Sequence, residues 1–279
     1  IRIFYKECRG LSLSYQVYLL VADGLGNEER EGIKIIDVGK FRKGRLKRMF
    51  LTCSQLYETS LSLDCNVFHF HDSEFLYFGN LLKRKGKKVL YDAHEDLPRQ
   101  ILGKNYIAPL LRRLISNVSE VIENYYSKKF DGIICATPTI QERFIKLNEN
   151  VISVCNFPSR DEFAPPKKWV NKTDRICYLG GISEVRGVNE LLGAMELLPA
   201  ETELDLVGDV ENESIRRSIV SFSKSYKIIF FGIVDRFRVK EILCENKIGI
   251  VALHPVPNHI SSLPVKMFEY MAAGIPVIA

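Results

Sequence analysis

The sequence lacks the features that mark membrane-spanning and secreted proteins. No stretch of its 279 residues approaches the roughly 18 consecutive apolar residues that a spanning helix needs. Its first residues show no basic, apolar and cleavage-site pattern of a secretion signal. The seven cysteines are odd in number, are never spaced as Cys-x-x-Cys, and in several cases lie in apolar runs. We therefore expect free, buried thiols in a protein of the reducing cytoplasm.

Positive charge is unevenly distributed along the chain. Residues 1–165 contain 25 Lys and Arg against 20 Asp and Glu, whereas residues 166–279 contain 14 of each, so the net charge of +5 lies in the first half. The excess is concentrated in Lys40–Arg48 and Lys83–Lys88. Such runs can meet acidic lipid, nucleic acid or a phosphorylated substrate, or can simply be solvated. No nucleic-acid motif or interleaved aromatic residue accompanies them, so we expect an anionic membrane surface and no nucleic acid as partner.

Short aliphatic or β-branched runs alternate with helical patterns along the chain, which predicts an α/β protein with doubly wound parallel sheets. The predicted strands are Val17–Val21, Lys34–Asp37, Val67–Phe70, Lys88–Tyr91, Gly132–Cys135, Val151–Val154, Ile176–Leu179, Leu204–Val207, Ile228–Phe231 and Ile248–Leu253. The predicted helices are Arg45–Ser62, Glu74–Lys85, Tyr106–Lys128, Ile140–Leu147, Val188–Leu197, Ser214–Ser223, Arg236–Glu245 and Leu263–Ala273. A polar, proline-rich linker at 156–174 predicts two domains, residues 1–163 and 164–279. Neither contains a Gly-x-Gly-x-x-Gly turn, which argues against a dehydrogenase.

The last 19 residues, 261–279, have the pattern of a loop, a helix, a tight turn and a buried strand. We expect Ser261 or Ser262 to cap the helix and Gly274 to end it. Lys266 and Glu269 are three residues apart and share one face near the helix N-terminus, where phosphate is attracted. A carboxylate one turn deeper can accept hydrogen bonds from both hydroxyls of a ribose. The segment therefore predicts a site for a nucleoside diphosphate, the alternative being an ordinary solvated helix.

This segment also resembles the donor-site helix of glycosyltransferase family 4, whose members are retaining enzymes of the GT-B fold. The family usually carries two glutamates in this helix; Glu269 matches the second, and Ser261 stands at the position of the first. The Pro-x-Lys-x-x-Glu-Tyr form resembles a sub-branch of bacterial surface-polysaccharide enzymes. The resemblance implies two Rossmann-like domains facing a cleft. Against the family pattern we expect this chain to be truncated at both ends.

A second stretch, Tyr178–Met195, follows a predicted strand and resembles the family's first βα loop of the donor domain. There a basic residue before a glycine holds the diphosphate, and Arg186 occupies that place, while Ile182 replaces a further family arginine. After Gly232 the family's backbone borders the nucleotide base. The donor-binding residues that the resemblance implies are Gly180, Gly181, Arg186, Gly232, Val234, Leu263, Lys266 and Glu269.

Two further motifs end apolar strands in the first half. VLYDAHEDLP resembles the family's Asp-x-His-Glu signature, which implies that His94 faces the donor sugar and, with Arg186 and Lys266, is catalytic. His71 and Asp72 of VFHFHDSEF are placed on the acceptor side. Histidine and carboxylate together can also bind a metal. No Asp-x-Asp pair of metal-dependent transferases is present, and two cations can replace the ion, so we expect no metal or other cofactor.

The sequence therefore predicts a cytoplasmic retaining glycosyltransferase that moves a sugar from a nucleotide-diphosphate donor, UDP-linked, to a lipid-linked or polysaccharide acceptor in cell-surface glycan synthesis. It would meet the inner membrane face through its N-terminal domain. A UDP-sugar 2-epimerase of GT-B fold and a non-catalytic sugar-nucleotide-binding subunit remain alternatives. Turnover without acceptor would indicate the first, and tight binding without turnover the second.

The stretch Lys104–Gly132 carries a helical pattern with two different halves. Its start combines Leu110 and Leu111 with Arg112 and Arg113, which is typical of a helix that lies on anionic lipid. In its later half, apolar residues recur at helical spacing, which predicts packing into the core. These residues are Val118, Val121, Ile122 and Tyr125.

Overall fold

The computed structural model describes residues 2–40, 44–104, 107–159, 162–163, 168–260 and 262–279. The chain divides into two compact units, Ile1–Asn156 and Phe157–Ala279. The predicted domain boundary after residue 163 lies inside the second of these units. Within the described ranges, every helix is too short or too polar to cross a lipid bilayer.

The first unit begins with a π-helical turn, Arg2–Cys8, a short helix α1, Arg9–Ser12, and a three-stranded sheet. Its strands are β1, Tyr18–Val21, β2, Glu28–Arg30, and β3, Ile33–Asp37, in the order β1-β3-β2. Strands β1 and β3 are parallel, whereas β2 and β3 are antiparallel. Strand β2 was not predicted, because all three of its side chains are exposed and leave no alternating apolar pattern. Glu31 and Gly32, both with positive φ, form the two-residue turn that pairs it with β3.

A second sheet of four parallel strands, in the order β4-β5-β6-β7, forms the core of the first unit. The strands are β4, Val67–Phe70, β5, Lys88–Ala93, β6, Gly132–Cys135, and β7, Val151–Ser153. The helices around it are α2, Arg45–Ser62, α3, Leu76–Arg84, α4, Leu97–Leu102, α5, Pro109–Ser127, and α6, Pro138–Phe144. Aromatic side chains fill its core, with Phe70 stacked on Tyr91 at 5.1 Å between ring centroids. The first half thus has two sheets, one of them mixed, where one parallel series was predicted.

Helix α5 reverses the prediction for its later half. Val118, Val121, Ile122 and Tyr125 were expected in the core, but all four side chains are exposed, Val121 to 68%. The face that is buried instead carries Ser116, Glu123 and Ser127. Two of these three side chains are paired inside the protein: Ser116 Oγ donates to the carbonyl of Pro98, and Glu123 accepts from Tyr91 Oη at 2.7 Å and pairs with Arg143. Helical spacing alone identified the wrong face.

The second unit is one parallel sheet of five strands in the order β10-β9-β8-β11-β12. The strands are β8, Thr173–Leu179, β9, Glu203–Val207, β10, Lys227–Gly232, β11, Asn246–Ile250, and β12, Val277–Ile278. The helices are α7, Val188–Met195, α8, Glu213–Phe222, α9, Arg236–Glu245, α10, Pro257–Ile260, and α11, Val265–Ala272. The chain runs from β8 outward to β10 on one side and from β11 to β12 on the other. The strand order therefore reverses between β8 and β11, and in open α/β sheets ligands bind at the carboxyl ends of such strands.

Candidate functional site

The glycine turn that follows β8 has two cationic side chains above it. A Cβ atom built on Gly181 would lie 3.0 Å from Arg186 Nη1, and one built on Gly180 would lie 3.7 Å from Lys266 Cε and 3.9 Å from Arg186 Nη1. Gly180 also has a φ of 109°, which side-chain-bearing residues rarely adopt. The structure thus brings four predicted donor-binding residues together where the strand order reverses. They are Gly180, Gly181, Arg186 and Lys266.

Close backbone packing keeps this turn in place. A Cβ on Gly208, at the end of β9, would lie 1.9 Å from the carbonyl oxygen of Gly180, and one on Gly187 would lie 2.0 Å from that of Ala252. Tyr178 Oη lies 3.0 Å from the carbonyl oxygen of Gly181 and 3.1 Å from that of Arg186, so it can donate to either. The turn is therefore built before any ligand arrives, which is what electrostatic preorganisation requires.

Lys266 is a buried cation. It is only 8% exposed, and its Nζ has no hydrogen-bond partner among the described residues. Nζ instead lies 3.8 Å from the centre of the Tyr178 ring, in a cation–π contact. Burial, and then the charge of Arg186, lowers the pKa of Lys266 to about 7. An anion placed between Lys266 and Arg186 would relieve both effects.

Glu269 lies one helical turn beyond Lys266 on α11 and is also buried. Its Oε1 accepts from Arg236 Nη1 at 2.6 Å, and Arg236 hydrogen-bonds Glu162 as well. Arg236 is the first residue of α9. The guanidinium therefore fixes the Glu269 carboxylate through one oxygen and leaves Oε2 for another donor. This positioning contact was not expected from the sequence.

The remaining donor-side residues occupy the loops around this turn and α11. Gly232 ends β10 with a φ of 67°, and its carbonyl accepts from the amide of Gly208 at 2.8 Å. Val234 is half-buried in the next loop, and Leu263 is exposed before α11. That Val234 and Leu263 contact the donor nucleotide stays a prediction.

The predicted cap of α11 is wrong for Ser262. The helix begins at Val265, its N-cap position is Pro264, and no side chain caps it. Ser262 Oγ donates to the carbonyl of His259 at 2.9 Å, so the hydroxyl is used in the preceding turn. Ser261, the other predicted cap and the position of the family's first glutamate, lies outside the described residues.

In the first unit, the carboxylates that lie beside His71 belong to Asp92 and Glu7, whereas the sequence pointed to the neighbouring Asp72. His71 lies 3.3 Å from Asp92 and 3.4 Å from Glu7, while Asp72 precedes a short 3₁₀ turn, Ser73–Phe75. His94 is exposed, and its ring centroid is 6.4 Å from that of His71. Both histidines thus lie at the carboxyl ends of neighbouring strands β4 and β5.

The lowered pKa of Lys266 predicts that anion binding takes up a proton. A diphosphate favours the ammonium form, so its binding raises a pKa that is about 7 in the free protein. Diphosphate affinity should be constant below pH 7 and should fall roughly tenfold per pH unit above it, until the pKa of the complex is reached. Calorimetry at pH 8 in buffers of different ionisation enthalpy should show uptake approaching one proton per site. Lys266→Met should abolish the uptake, and binding without uptake in the unsubstituted protein would contradict the assignment.

Comparisons with known proteins bear on the family and the fold. The family model for Glycosyltransferase Family 4 matches residues 3–156, and that for Glycosyl transferases group 1 matches residues 173–279. No curated protein sequence matches this one. Taken together, the two family models span nearly the whole described chain.

Solved structures share the fold at low sequence identity. Sucrose-phosphate synthase from Thermosynechococcus elongatus is 16% identical with a TM-score of 0.76, covering 100% of this chain and 75% of its own. Anabaena HepE, solved with UDP and glucose, is 14% identical with a TM-score of 0.65, covering 89% and 68%. WaaG, described as a glycosyltransferase involved in lipopolysaccharide biosynthesis, is 13% identical with a TM-score of 0.62, covering 95% and 72%. At these identities the likeness concerns the fold, and it confirms the predicted α/β, GT-B class.

Proposed function

Because this chain belongs to Glycosyltransferase Family 4 and is a glycosyltransferase, we propose that it transfers a sugar, with retention, from a UDP-linked donor to a lipid-linked or polysaccharide acceptor in cell-surface glycan synthesis. The observation that carries the donor assignment is the buried, unpartnered ammonium of Lys266 beside Arg186, above the Gly180–Gly181 turn; among the described residues its Nζ has no hydrogen-bond partner. A dianionic leaving group fits two cations in a site of reduced dielectric.

The assignment of nucleotide and acceptor draws on neighbours as well as on the site. HepE is described in complex with UDP-glucose, and WaaG as acting in lipopolysaccharide biosynthesis. Glu269, with Oε1 held by Arg236, has its second oxygen available for the ribose hydroxyls. These observations favour a uridine nucleotide and a glycan-type acceptor for this chain.

In the proposed mechanism the bond between the anomeric carbon and the diphosphate oxygen breaks, and its electron pair goes to the diphosphate. Arg186 and Lys266 stabilise the charge that develops there, as preorganised donors do. The acceptor hydroxyl forms the new bond to the anomeric carbon, and its proton goes to the oxygen of the departing diphosphate. The sugar passes through an oxocarbenium-like state, with His94 proposed to face it. Retention follows the family resemblance, and none of the described side chains is assigned as a covalent nucleophile.

The donor and metal assignments predict transfer from a UDP-sugar without a divalent ion, because two side-chain cations take the place of a metal at the diphosphate. The protein should be assayed against a panel of nucleotide sugars, with membrane extract as acceptor and excess chelator present. Activity lost in chelator and restored by Mg²⁺ would refute metal-independent transfer. Turnover of the sugar nucleotide without an acceptor would indicate an epimerase instead of a transferase.

We also propose that the first unit attaches the protein reversibly to the cytoplasmic face of an anionic membrane. Helix α5 exposes apolar residues along most of its length and carries Arg112 and Arg113 near its start. Its exposed large apolar residues are Leu110, Leu111, Leu114, Ile115, Val118, Val121, Ile122 and Tyr125. In the basic run Lys83–Lys88, Arg84, Lys85 and Lys88 are exposed, while Lys83 pairs with Asp131 at 2.8 Å. The run Lys40–Arg48 lies partly outside the described residues.

The membrane proposal predicts salt-sensitive binding to anionic vesicles. Each basic residue near such a surface contributes about 1 kcal/mol, and the attraction weakens as salt shortens the Debye length. Co-sedimentation with vesicles of graded anionic content should show binding that rises with anionic lipid and falls at high salt. Leu114→Ser should reduce it, and the control Val220→Ser, at an equally exposed apolar residue of α8, should not. Equal binding to neutral and anionic vesicles, or none to either, would contradict the proposal.

A further inference from the structure

Four metal-ligand side chains converge in the first unit, apart from the donor-side residues. Glu7, His69, His71 and Asp92 each contribute one ligand atom, and these four atoms lie within 4.8 Å of one another. Asp92 is fully buried, and the other three are partly buried. The cluster therefore combines two imidazoles with two carboxylates in a space the size of a single ion's coordination shell.

The fold explains why residues so distant in sequence meet. Strands β4 and β5 are parallel with Phe70 opposite Tyr91, so His71 and Asp92 are the next residues along each strand. His69 lies two residues before His71 and shares its face. Their ring centroids are 4.6 Å apart. The π-helical turn Arg2–Cys8 then brings Glu7 over the strand ends.

The separations within the cluster match those of a small coordination shell. Each residue offers one ligand atom, so only one nitrogen of His71 can bind the ion. His71 Nδ1 is 3.3 Å from Asp92 Oδ2 and His69 Nε2 is 3.6 Å from the same oxygen, and the four ligand atoms lie within 4.8 Å of one another. Ligands at about 2.0–2.2 Å from a tetrahedral Zn²⁺ are roughly 3.3–3.6 Å apart. The side chains thus need only small rotations to share one ion.

Arg2 pairs with one oxygen of each carboxylate and leaves three other polar atoms of the cluster without a hydrogen-bond partner in the described part of the chain. Its guanidinium pairs with Glu7 Oε1 at 2.7 Å and with Asp92 Oδ2 at 2.6 Å. Glu7 Oε2, Asp92 Oδ1 and His69 Nε2 are inaccessible to solvent and have no hydrogen-bond partner among the described residues. A buried polar atom without a partner costs about 1–3 kcal/mol, and more when it is charged. With both imidazoles neutral, as metal ligands are, two carboxylates against one guanidinium leave a net negative charge that a bound cation would balance.

We propose that Glu7, His69, His71 and Asp92 bind one divalent transition-metal ion, of which Zn²⁺ is the type. Imidazole nitrogens favour zinc, copper and nickel over Mg²⁺ and Ca²⁺, which prefer oxygen ligands alone. Arg2 keeps its hydrogen bonds and holds both carboxylates in orientation. The ion would tie the Arg2–Cys8 turn to strands β4 and β5, so binding stabilises the first unit. The proposal uses none of the residues assigned to the diphosphate and does not depend on that assignment.

Cysteine is the competing ligand in this chain, and the structure disfavours it. Burial raises the pKa of Cys53 to about 11 and that of Cys135 to about 12. Zinc binds the thiolate, so at neutral pH these buried thiols are poor ligands.

The test is calorimetric titration of the chelator-stripped protein with ZnCl₂ at pH 7, in a buffered-zinc solution that suppresses weak sites. We expect one ion per chain and a higher thermal midpoint in its presence. Co²⁺ in place of Zn²⁺ should give visible d–d bands without the near-ultraviolet charge-transfer band of a thiolate ligand. Mg²⁺ should neither bind comparably nor raise the midpoint.

Two ligand variants and one control decide the outcome. Glu7→Gln, on the N-terminal π-helical turn, and His69→Asn should each weaken Zn²⁺ binding roughly tenfold or more, at least the loss seen when a ligand's outer partner is removed. His254→Asn, at a histidine of the second unit that pairs with Glu190 at 2.9 Å, should bind Zn²⁺ as the unsubstituted protein does. Because Glu7→Gln keeps the side-chain shape, it remains informative if His69→Asn does not fold. No binding, unchanged binding in Glu7→Gln, or a thiolate band with Co²⁺ would overturn the proposal.

Discussion

Arg186→Ala and Lys266→Ala should each lower the turnover of a UDP-sugar by roughly 10²-fold or more, the scale of losing one preorganised donor. The two cations lie beside the Gly180–Gly181 turn, and in the proposed mechanism each stabilises charge that appears only as the diphosphate leaves. Removing either should therefore lower kcat more than it raises KM. Because the two act on one group, the double variant should be less impaired than the product of the two single effects.

Loss of folding can be separated from loss of catalysis at Lys266. Its ammonium is buried without a hydrogen-bond partner among the described residues, so Lys266→Met removes a desolvated charge and should leave the apoprotein as stable or more so. Arg238→Ala is the control at an exposed arginine, paired with Glu241 on the surface of α9. Near-normal turnover in both Arg186→Ala and Lys266→Met would remove these residues from the mechanism.

The sheets of both units were largely predictable because buried parallel strands read as short apolar runs. The structure has the predicted bounds for two strands, Val67–Phe70 and Gly132–Cys135, and for two helices, Arg45–Ser62 and Arg236–Glu245. Strand β2 could not be predicted, because it is polar and pairs only through a local turn. The buried face of α5 could not be predicted either, because it depends on Tyr91 and Arg143, which lie on other elements and satisfy Glu123.

The candidate donor site was predictable where function requires a residue type at a fixed place along the chain. Glycines after a strand, a lysine near a helix start and a glutamate one turn later all leave such a pattern. Tyr178 and Arg236 leave none: one reads as an ordinary strand aromatic and the other as a helix start. Their roles come from contacts with Lys266 and Glu269, which only the folded chain supplies. The same holds for Glu7 and Asp92, which join His69 and His71 only in space.

Glu269→Ala should weaken UDP binding strongly, and Glu269→Gln less. A hydrogen bond to an ionised carboxylate is worth about 1.5–3 kcal/mol, so removing one hydrogen bond to the ribose should raise Kd about 10- to 150-fold. Glutamine keeps one acceptor oxygen but loses the charge, so the UDP affinity of Glu269→Gln should lie between those of the unsubstituted protein and Glu269→Ala. Isothermal titration calorimetry with UDP, at pH 6.5 so that Lys266 is mostly protonated, measures these differences directly.

The contact with Arg236 sharpens this prediction. Arg236 holds Oε1 of Glu269 at 2.6 Å, so the ribose has to use Oε2, and the orientation of that oxygen depends on the guanidinium. Arg236→Lys keeps the charge but loses the planar pair of donors, so it should also weaken UDP binding, by less than Glu269→Ala. Glu241→Gln, at an exposed glutamate paired with Arg238, is the matched control and should bind UDP normally. Unchanged UDP affinity in Glu269→Ala would remove the ribose from this residue, because alanine offers no acceptor that could replace the carboxylate.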